Sequence, residues 1–370
     1  MKIVYCANDL WQSGGTERVL TTKVNWLSEQ PEHETWLVTL REEREPFFAL
    51  SPGVRRIMID AKDIKTYKSR LTEILNELRP DVTVCTSGWA SQVLPDLADG
   101  SKKVLEFHYT KNYLVNFVRG MRRIRFRSLH LLKMRWLQWR LSRLARRYDK
   151  FVGLTRRDVD LWGTPPNMTY IYNPLSFRSE RKSDCRSHRI IAVGSFTPSK
   201  GMDQLVEAFG RIAHRHADWH LDIYGSGQDE GLLRELIAQY GITEQTTLHS
   251  PVADISKALL ASSIYAFPSR SDGFGLVITE AMECGLPTVA MDCECGPREI
   301  VTGRTGIVVP DKNIDKFAEA LERLVSDESL RRSMGRSASE EVSRFYAENI
   351  MPQWLSLFAD LTGCEAEEKR

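Results

Sequence analysis

The chain has no window of eighteen consecutive uncharged apolar residues, so no ordinary membrane-spanning helix is expected. Cysteine is scarce for 370 residues: there are seven, an odd number, scattered from Cys6 to Cys364. A disulfide-stapled secreted scaffold would be smaller and denser in cysteine, so a reducing cytosol is the expected compartment. Cys293-x-Cys295 has no second pair and no spaced histidine beside it, too few ligands for zinc, and no metal site is expected. The amino terminus, MKIVYCANDL, has one Lys before a short apolar stretch and reads as a buried strand, not as a secretory signal. Acidic residues are missing from one long segment, 119–147, which holds eleven Lys and Arg and no Asp or Glu.

What is present suits a soluble globular protein: 42% apolar and 27% charged residues, in a length that fits two domains. The net charge of +2 hides an uneven distribution. Residues 1–187 carry 33 Lys and Arg against 21 Asp and Glu, and the remainder carries 18 against 28. A division of this size suggests different partners for the two halves.

Short apolar runs alternate with helical patterns throughout, the signature of parallel α/β units. Strands are expected at 3–7, 35–40, 55–60, 81–85, 103–107, 150–154 and 169–173, with helices at 16–29, 67–79, 128–147 and 156–162. Ser176–His188, rich in Ser and charge and without apolar periodicity, reads as a linker. A second series follows, with strands at 189–194, 219–225, 246–250, 264–269, 287–291 and 305–310, and helices between and after them. The expected fold is α/β: two Rossmann-like domains with parallel sheets facing a central cleft, where ligands meet the carboxyl ends of strands. The boundaries are 1–175, a linker at 176–188, a second domain at 189–345, and a final helical segment at 346–370 that returns to the first domain. Phe345, Tyr346, Trp354, Leu357 and Phe358 give that segment too much apolar bulk for a free tail.

Four strand-to-helix turns carry chemistry. In SRSDGFGLVITE (269–280), Gly273 and Gly275 free the amides of a helix start, and those amides with the helix dipole favour an anion or sugar hydroxyls. Asp272 and Glu280 supply carboxylates that accept from vicinal hydroxyls. A bland reading, a glycine turn with surface acids, competes. In VGSFTPSKG (193–201), Lys200 sits at a helix mouth, a point charge suited to a diphosphate, although a lone loop lysine is ordinarily just solvated. IYGSGQD (223–229), with Gly225, is a weaker turn of the same kind. SGGTER (13–18) offers Gly14 and Gly15 before a capping Thr as an anion cradle. His108 follows the strand KVLEF, at the end where cleft residues belong, although a lone His is more often structural.

VGSFTPSKGMDQLVEAF, DIYGSGQD and PSRSDGFGLVITEAMECGLPTVAMDCECGPREIV occur in order over about 189–345, and SGGTERV near the start adds a fourth loop. Together they resemble glycosyltransferase family 4, a retaining family with the GT-B fold, of the bacterial cell-surface polysaccharide or lipopolysaccharide type. The resemblance implies transfer of a hexosyl unit from a UDP-linked sugar to a saccharide or lipid-linked saccharide acceptor, without a metal. By position, Glu280 would hold the ribose hydroxyls, Lys200 would neutralise the diphosphate, and the amides of Gly273, Phe274 and Gly275 would meet the sugar and phosphates. Asp272 would stand where the family has Glu, on the donor sugar, and His108 would lie near the reacting carbon. Gly14, Gly15, Ser195, Gly225 and Leu276 complete the implied donor site. Ser195 departs from the family, which commonly has Arg there; Arg18 and Arg270 are the candidates to replace that charge. Asp272 is one methylene shorter than Glu. These departures motivate a rival reading, a non-catalytic scaffold or partner subunit. A sugar-nucleotide epimerase is disfavoured, since its acid/base set is not evident.

For the basic stretch three readings stand side by side: a solvated face over core apolar residues, a nucleic-acid patch, and an interfacial surface for anionic lipid. With an acceptor on lipid, the expectation is a cytoplasmic protein, peripheral on the anionic inner face of the membrane, with no nucleic-acid partner.

Overall fold

In the computed structural model the described residues are 1–363, leaving out 13, 42–43, 87 and 121–126. The chain divides into two compact units. The first joins residues 1–109, 137–176 and the segment from Phe345 onward. Its sheet holds β1 (Lys2–Cys6), β2 (Glu34–Leu40), β3 (Arg55–Ile59), β4 (Val82–Cys85), β5 (Lys102–Glu106), β6 (Lys150–Gly153) and β7 (Met168–Tyr170). The order is β3-β2-β1-β4-β5-β6-β7, with every pairing parallel. β1 and β4 are nearly continuous apolar runs because helices cover both faces of such a sheet. Local signals start the helices: Asp63 accepts from the amides of Lys65 and Thr66, and Thr155 from that of Asp158.

The second unit contains β8 (Arg189–Val193), β9 (His220–Tyr224), β10 (Thr246–His249), β11 (Ile264–Phe267), β12 (Thr288–Asp292) and β13 (Gly306–Pro310). The order is β10-β9-β8-β11-β12-β13, again parallel throughout. In each sheet the winding reverses once, between β1 and β4 in the first and between β8 and β11 in the second. Open parallel sheets bind ligands at such a reversal.

Two features correct the expected division. Residues 176–188 are not a free linker, for the chain from Phe177 on is stitched to the second unit. The Ser179 amide donates to Glu283, Lys182 Nζ lies 2.8 Å from Glu283 Oε1, the Ser183 amide donates to the Cys284 carbonyl, and Cys185 is buried. Of these contacts only that of Lys182 comes from the polar side chains that suggested a linker; the other two are made by backbone amides. Residues 1–175 are also not one block: the described residues of 110–136 group with the second unit, where Asn112 Nδ2 donates to Glu294 at 3.0 Å. Helices at Gly88–Val93 and Tyr113–Gly120 were not expected, being too short to show a clear period.

The final helix, Ala347–Thr362, belongs to the first unit's core. Ile350, Met351, Trp354 and Phe358 pack with Ile3, Tyr5, Leu20 and Val24, and Trp354 is fully buried. Trp354→Ala should therefore destabilise the first unit by about 3–5 kcal/mol, the range for emptying a buried aromatic site. Denaturant unfolding followed by an intrinsic probe in that unit checks this, and a loss below about 1 kcal/mol would contradict the packing.

Candidate functional site

Two loops meet at the reversal point of the second sheet. The segment after β8 carries Ser195 and Lys200 and ends in the helix Met202–Ile212; the segment after β11 carries Asp272 and ends in the helix Leu276–Glu283. Because β8 and β11 are adjacent, residues 72 positions apart come together: Lys200 Nζ lies 2.5 Å from Asp272 Oδ2. The Arg270 amide donates to the Ser199 carbonyl at 2.8 Å, which clamps the two loops. Gly201 allows this approach, with φ +64° and a position where a Cβ would lie 2.2 Å from the Pro268 carbonyl oxygen. Gly225, after β9, sits against Gly194 just as closely.

Several residues are placed differently from the expectation. The amides of Phe274 and Gly275 do not stand open: Asp272 Oδ1 accepts from both, at 3.3 and 3.0 Å. An aspartate three residues before a helix-start glycine forms this turn by itself, which the glycine pattern did not reveal. Lys200 is likewise held by Asp272 instead of standing ready for a phosphate. Glu280 is fully buried in its helix, and the adjoining residues Gly273–Gly275 are buried with it. At buried Tyr265, burial first and then the charges of Asp272 and Glu280 push the phenol well above the ordinary range. Ser195 is exposed, and Leu276 is partly buried at the first position of its helix.

Arg270 does not replace the missing arginine. Its guanidinium makes two parallel bonds to Asp203, at 2.7 and 2.8 Å, and a third to the Pro198 carbonyl. That fork ties one loop to the next helix. Arg18, in the first unit, lies over the Phe48 ring at 4.8 Å.

The first unit has its own cluster at the corresponding reversal. Gly14, not Thr16, caps the helix Gly15–Ser28, and no side chain caps it. The cradle is filled from within, because Glu17 in the first turn folds back on Gly14, so closely that a Cβ there would lie 2.2 Å from its Oε2. Gly15 faces no atom within 4 Å. Burial pushes the Glu17 carboxyl above its usual range and Asp9 adds to this, while its own amide and His108 oppose them.

His108 follows β5 directly and its ring is almost wholly buried, with Nε2 3.1 Å from Glu106 Oε1. The other oxygen of Glu106 lies 2.6 Å from Lys23 Nζ, and both side chains are buried. Lys23 also sits over the Trp354 ring, 3.3 Å from its centroid. Burial lowers the Lys23 ammonium to about 8, against the pull of Glu106. For Glu106, burial acts upward, but the charges of Lys23 and then His108 overcome it and hold the carboxyl down at about 2. Sequence reasoning missed Lys23 and Glu106. Their signal was a charge inside each apolar pattern: Lys23 among Leu20, Val24 and Leu27, and Glu106 within KVLEF.

Among the described residues, no group of three or more His, Cys, Asp or Glu side chains is placed to hold a metal ion. No helix among them is long and apolar enough to cross a membrane. The helix Arg127–Ala145 has two apolar faces: Leu129, Leu132, Trp136 and Trp139 are 64, 66, 50 and 53% exposed, while Leu131, Met134, Leu137, Leu141 and Leu144 are half-buried and Ala145 is buried. Of the basic stretch, 121–126 lie outside the described residues.

With this geometry in hand, comparison with known proteins is decisive for the second unit. The family model described as Glycosyl transferases group 1 matches residues 176–341. Those residues are a glycosyltransferase domain. An exopolysaccharide phosphotransferase of Streptomyces coelicolor is 32% identical over 229 residues, which cover 60% of this chain and 24% of that protein. An uncharacterized glycosyltransferase of Haemophilus influenzae is 26% identical over 368 residues, 95% of this chain and 98% of that one. The chain thus spans about a quarter of the first relative's length and nearly all of the second's. Among solved structures, Anabaena HepE in complex with UDP and glucose superposes with a TM-score of 0.75 at 17% identity, covering 97% of this chain and 100% of that chain. At that identity the likeness speaks for the fold, which is GT-B.

The glycosyltransferase domain's partner unit carries the titration that can be read most directly. The Glu106 carboxyl has its folded pKa below its ordinary 4.5, so its contribution to stability is present above 4.5 and lost as pH falls towards about 2. The melting temperature should fall through that window, and Glu106→Gln should flatten this part of the curve. An unchanged slope in the variant would contradict an ionised Glu106.

Proposed function

We propose that the protein is a retaining glycosyltransferase that moves a hexosyl unit from a UDP-linked sugar to a saccharide or lipid-linked saccharide acceptor in cell-surface glycan synthesis. The observation that carries this reading is the meeting of Lys200 and Asp272 at two adjacent helix starts, at the reversal point of the glycosyltransferase domain. Supporting it are the UDP and glucose bound in the HepE structure and the exopolysaccharide role in the Streptomyces relative's name.

In this reading Lys200 leaves Asp272 for the diphosphate as the donor binds, and stabilises the charge that develops on the leaving group. Asp272, freed of Lys200, accepts from hydroxyls of the transferred sugar, and the released amides of Phe274 and Gly275 face the phosphates. Glu280 takes the ribose hydroxyls once its surroundings open. His108 works near the reacting carbon. Leaving-group charge is then met by Lys200 and helix-start amides, and no metal is required. In this reading Ser195, Gly225, Gly273 and Leu276 line the donor, and Gly14 and Gly15 take part only once Glu17 leaves Gly14.

A second reading, a scaffold that has kept the fold, draws on one observation: Ser195 carries no charge and Arg270 is committed to Asp203. Turnover separates the two readings. Lys200→Ala should lower release of the nucleotide from a UDP-sugar by about 10²–10³-fold, the usual effect of removing one leaving-group stabiliser, with the melting temperature little changed. Turnover equal to that of the parent would overturn the assignment of Lys200, and no turnover in the parent with any nucleotide sugar would favour the scaffold.

The acceptor side rests on the helix Arg127–Ala145. Leu129, Leu132, Trp136 and Trp139 are spaced 3, 4 and 3 residues apart and so form one stripe, exposed to solvent and bordered by the exposed Lys133, Arg135, Arg140 and Arg143. A helix of this character lies in the plane of an anionic bilayer surface, with each nearby cation contributing about 1 kcal/mol. On this reading the protein is a peripheral one on the inner face of the cytoplasmic membrane, with no part for nucleic acid. Flotation should occur with vesicles containing anionic phospholipid, weaken at high salt and fail with neutral vesicles. Trp136→Ala/Trp139→Ala should reduce it severalfold, and equal flotation on both vesicle types would contradict the docking.

A further inference from the structure

We propose that Glu106 is a positioning residue for His108, held in its ionised state by Lys23, and that this buried chain begins at Trp354 on the final helix. The proposal rests on the reading of His108 as a group near the reacting carbon. It concerns three residues that this reading did not include.

The geometry assigns the two oxygens of one carboxylate to two different tasks. Oε2 faces Lys23 at 2.6 Å, and Oε1 faces the His108 ring at 3.1 Å. All of these side chains are nearly or fully excluded from water. A buried ion pair is a weak source of stability, since apolar replacements of similar volume are often as stable or more so. Stability alone therefore gives little reason to place a full charge pair beneath β5. Orientation gives a better one. An imidazole has two distinct nitrogens, and the group that one of them bonds decides which carries the proton. The 3.1 Å pair is a close charge contact and not an aligned hydrogen bond, but a lone pair on Nε2 facing that carboxylate would be repelled, so the charge of Glu106 favours the proton of neutral His108 on Nε2 and leaves the lone pair on Nδ1.

The lysine is what lets the carboxylate do this. Without Lys23, burial would favour the neutral acid, which can donate as well as accept and would no longer dictate one tautomer. Lys23 in turn has no water to solvate it; Glu106 and the faces of the Trp354 and Tyr5 rings surround its ammonium. Trp354 comes from a helix more than 240 positions further along the chain, so His108 is fixed by packing that forms only when the final helix is docked. Glu17 is the other carboxylate whose charge acts together with that of His108, and it stands on the same helix as Lys23.

The test uses the full chain with its histidines labelled with nitrogen-15. His108→Ala identifies the His108 signals by their loss. In the parent, His108 should appear in one neutral tautomer, with the proton on Nε2. In Glu106→Gln the signals should move to the other tautomer or to a mixture, because the amide can donate to the ring. Turnover in the same variant should fall about 10- to 100-fold in kcat, as for loss of an orienting partner elsewhere, with KM for the donor unchanged. Glu106→Asp should recover part of it. Should Glu106→Gln fold poorly because Lys23 is left unpaired, Lys23→Met/Glu106→Gln removes both charges and is measured instead. An unchanged tautomer in whichever variant folds overturns the proposal, even if activity is lost, and so does an effect confined to KM. Full activity in His108→Ala would instead defeat the reading of His108 as a reactive group, while the tautomer measurement still decides whether Glu106 positions it.

Discussion

In a parallel sheet every strand ends at the same edge, and where the winding reverses the two loops leaving neighbouring strands run apart, opening a crevice that neither helix layer fills. Both sheets of this protein are constrained in this way, between β1 and β4 and between β8 and β11. Residues with chemistry collect at these places. In the second unit the reversal brings Lys200 to Asp272. In the first, the segment after β1 leads to Gly14 and Glu17, and β5, one strand beyond the reversal, delivers Glu106 and His108.

The strands were readable because a sheet covered on both faces demands unbroken apolar runs, and all thirteen expected runs overlap strands of the structure. Turn chemistry gave away the loops, since Gly201, Gly225 and Gly275 stand where backbone approaches backbone or φ is positive. What stayed hidden is pairing between distant positions. No spacing in the sequence says that Lys200 will be held by Asp272, that Arg270 will lock onto Asp203, or that Glu17 will fold over Gly14. Each of these depends on which strand lies next to which, and on a side chain preferring a neighbour to solvent. The linker was misjudged for a related reason: a polar segment looks the same whether its hydrogen bonds go to water or to Glu283 and Cys284.

The two units treat buried charge in contrasting ways. In the first, Lys23 and Glu106 are closed off and compensated on all sides, an arrangement that suits a fixed part. In the second, the pair of Lys200 and Asp272 keeps some contact with solvent, with 30 and 15% of the two side chains exposed, and suits an exchangeable one. A partly hydrated ion pair is worth little in itself, so breaking it is not a large barrier.

If the site takes a diphosphate, as proposed, that exchangeable pair makes Asp272 a resident competitor for the place of the incoming anion. A ligand gains Lys200 and the amides of Phe274 and Gly275 only by outbidding a carboxylate that is tethered there and thus always present at high local concentration. A neutral sugar or a nucleoside has nothing to offer the lysine and leaves the contest unchanged. A diphosphate brings more charge than the carboxylate it displaces. On the proposed reading the loop is a built-in blank that screens visitors by their charge before their shape is tested.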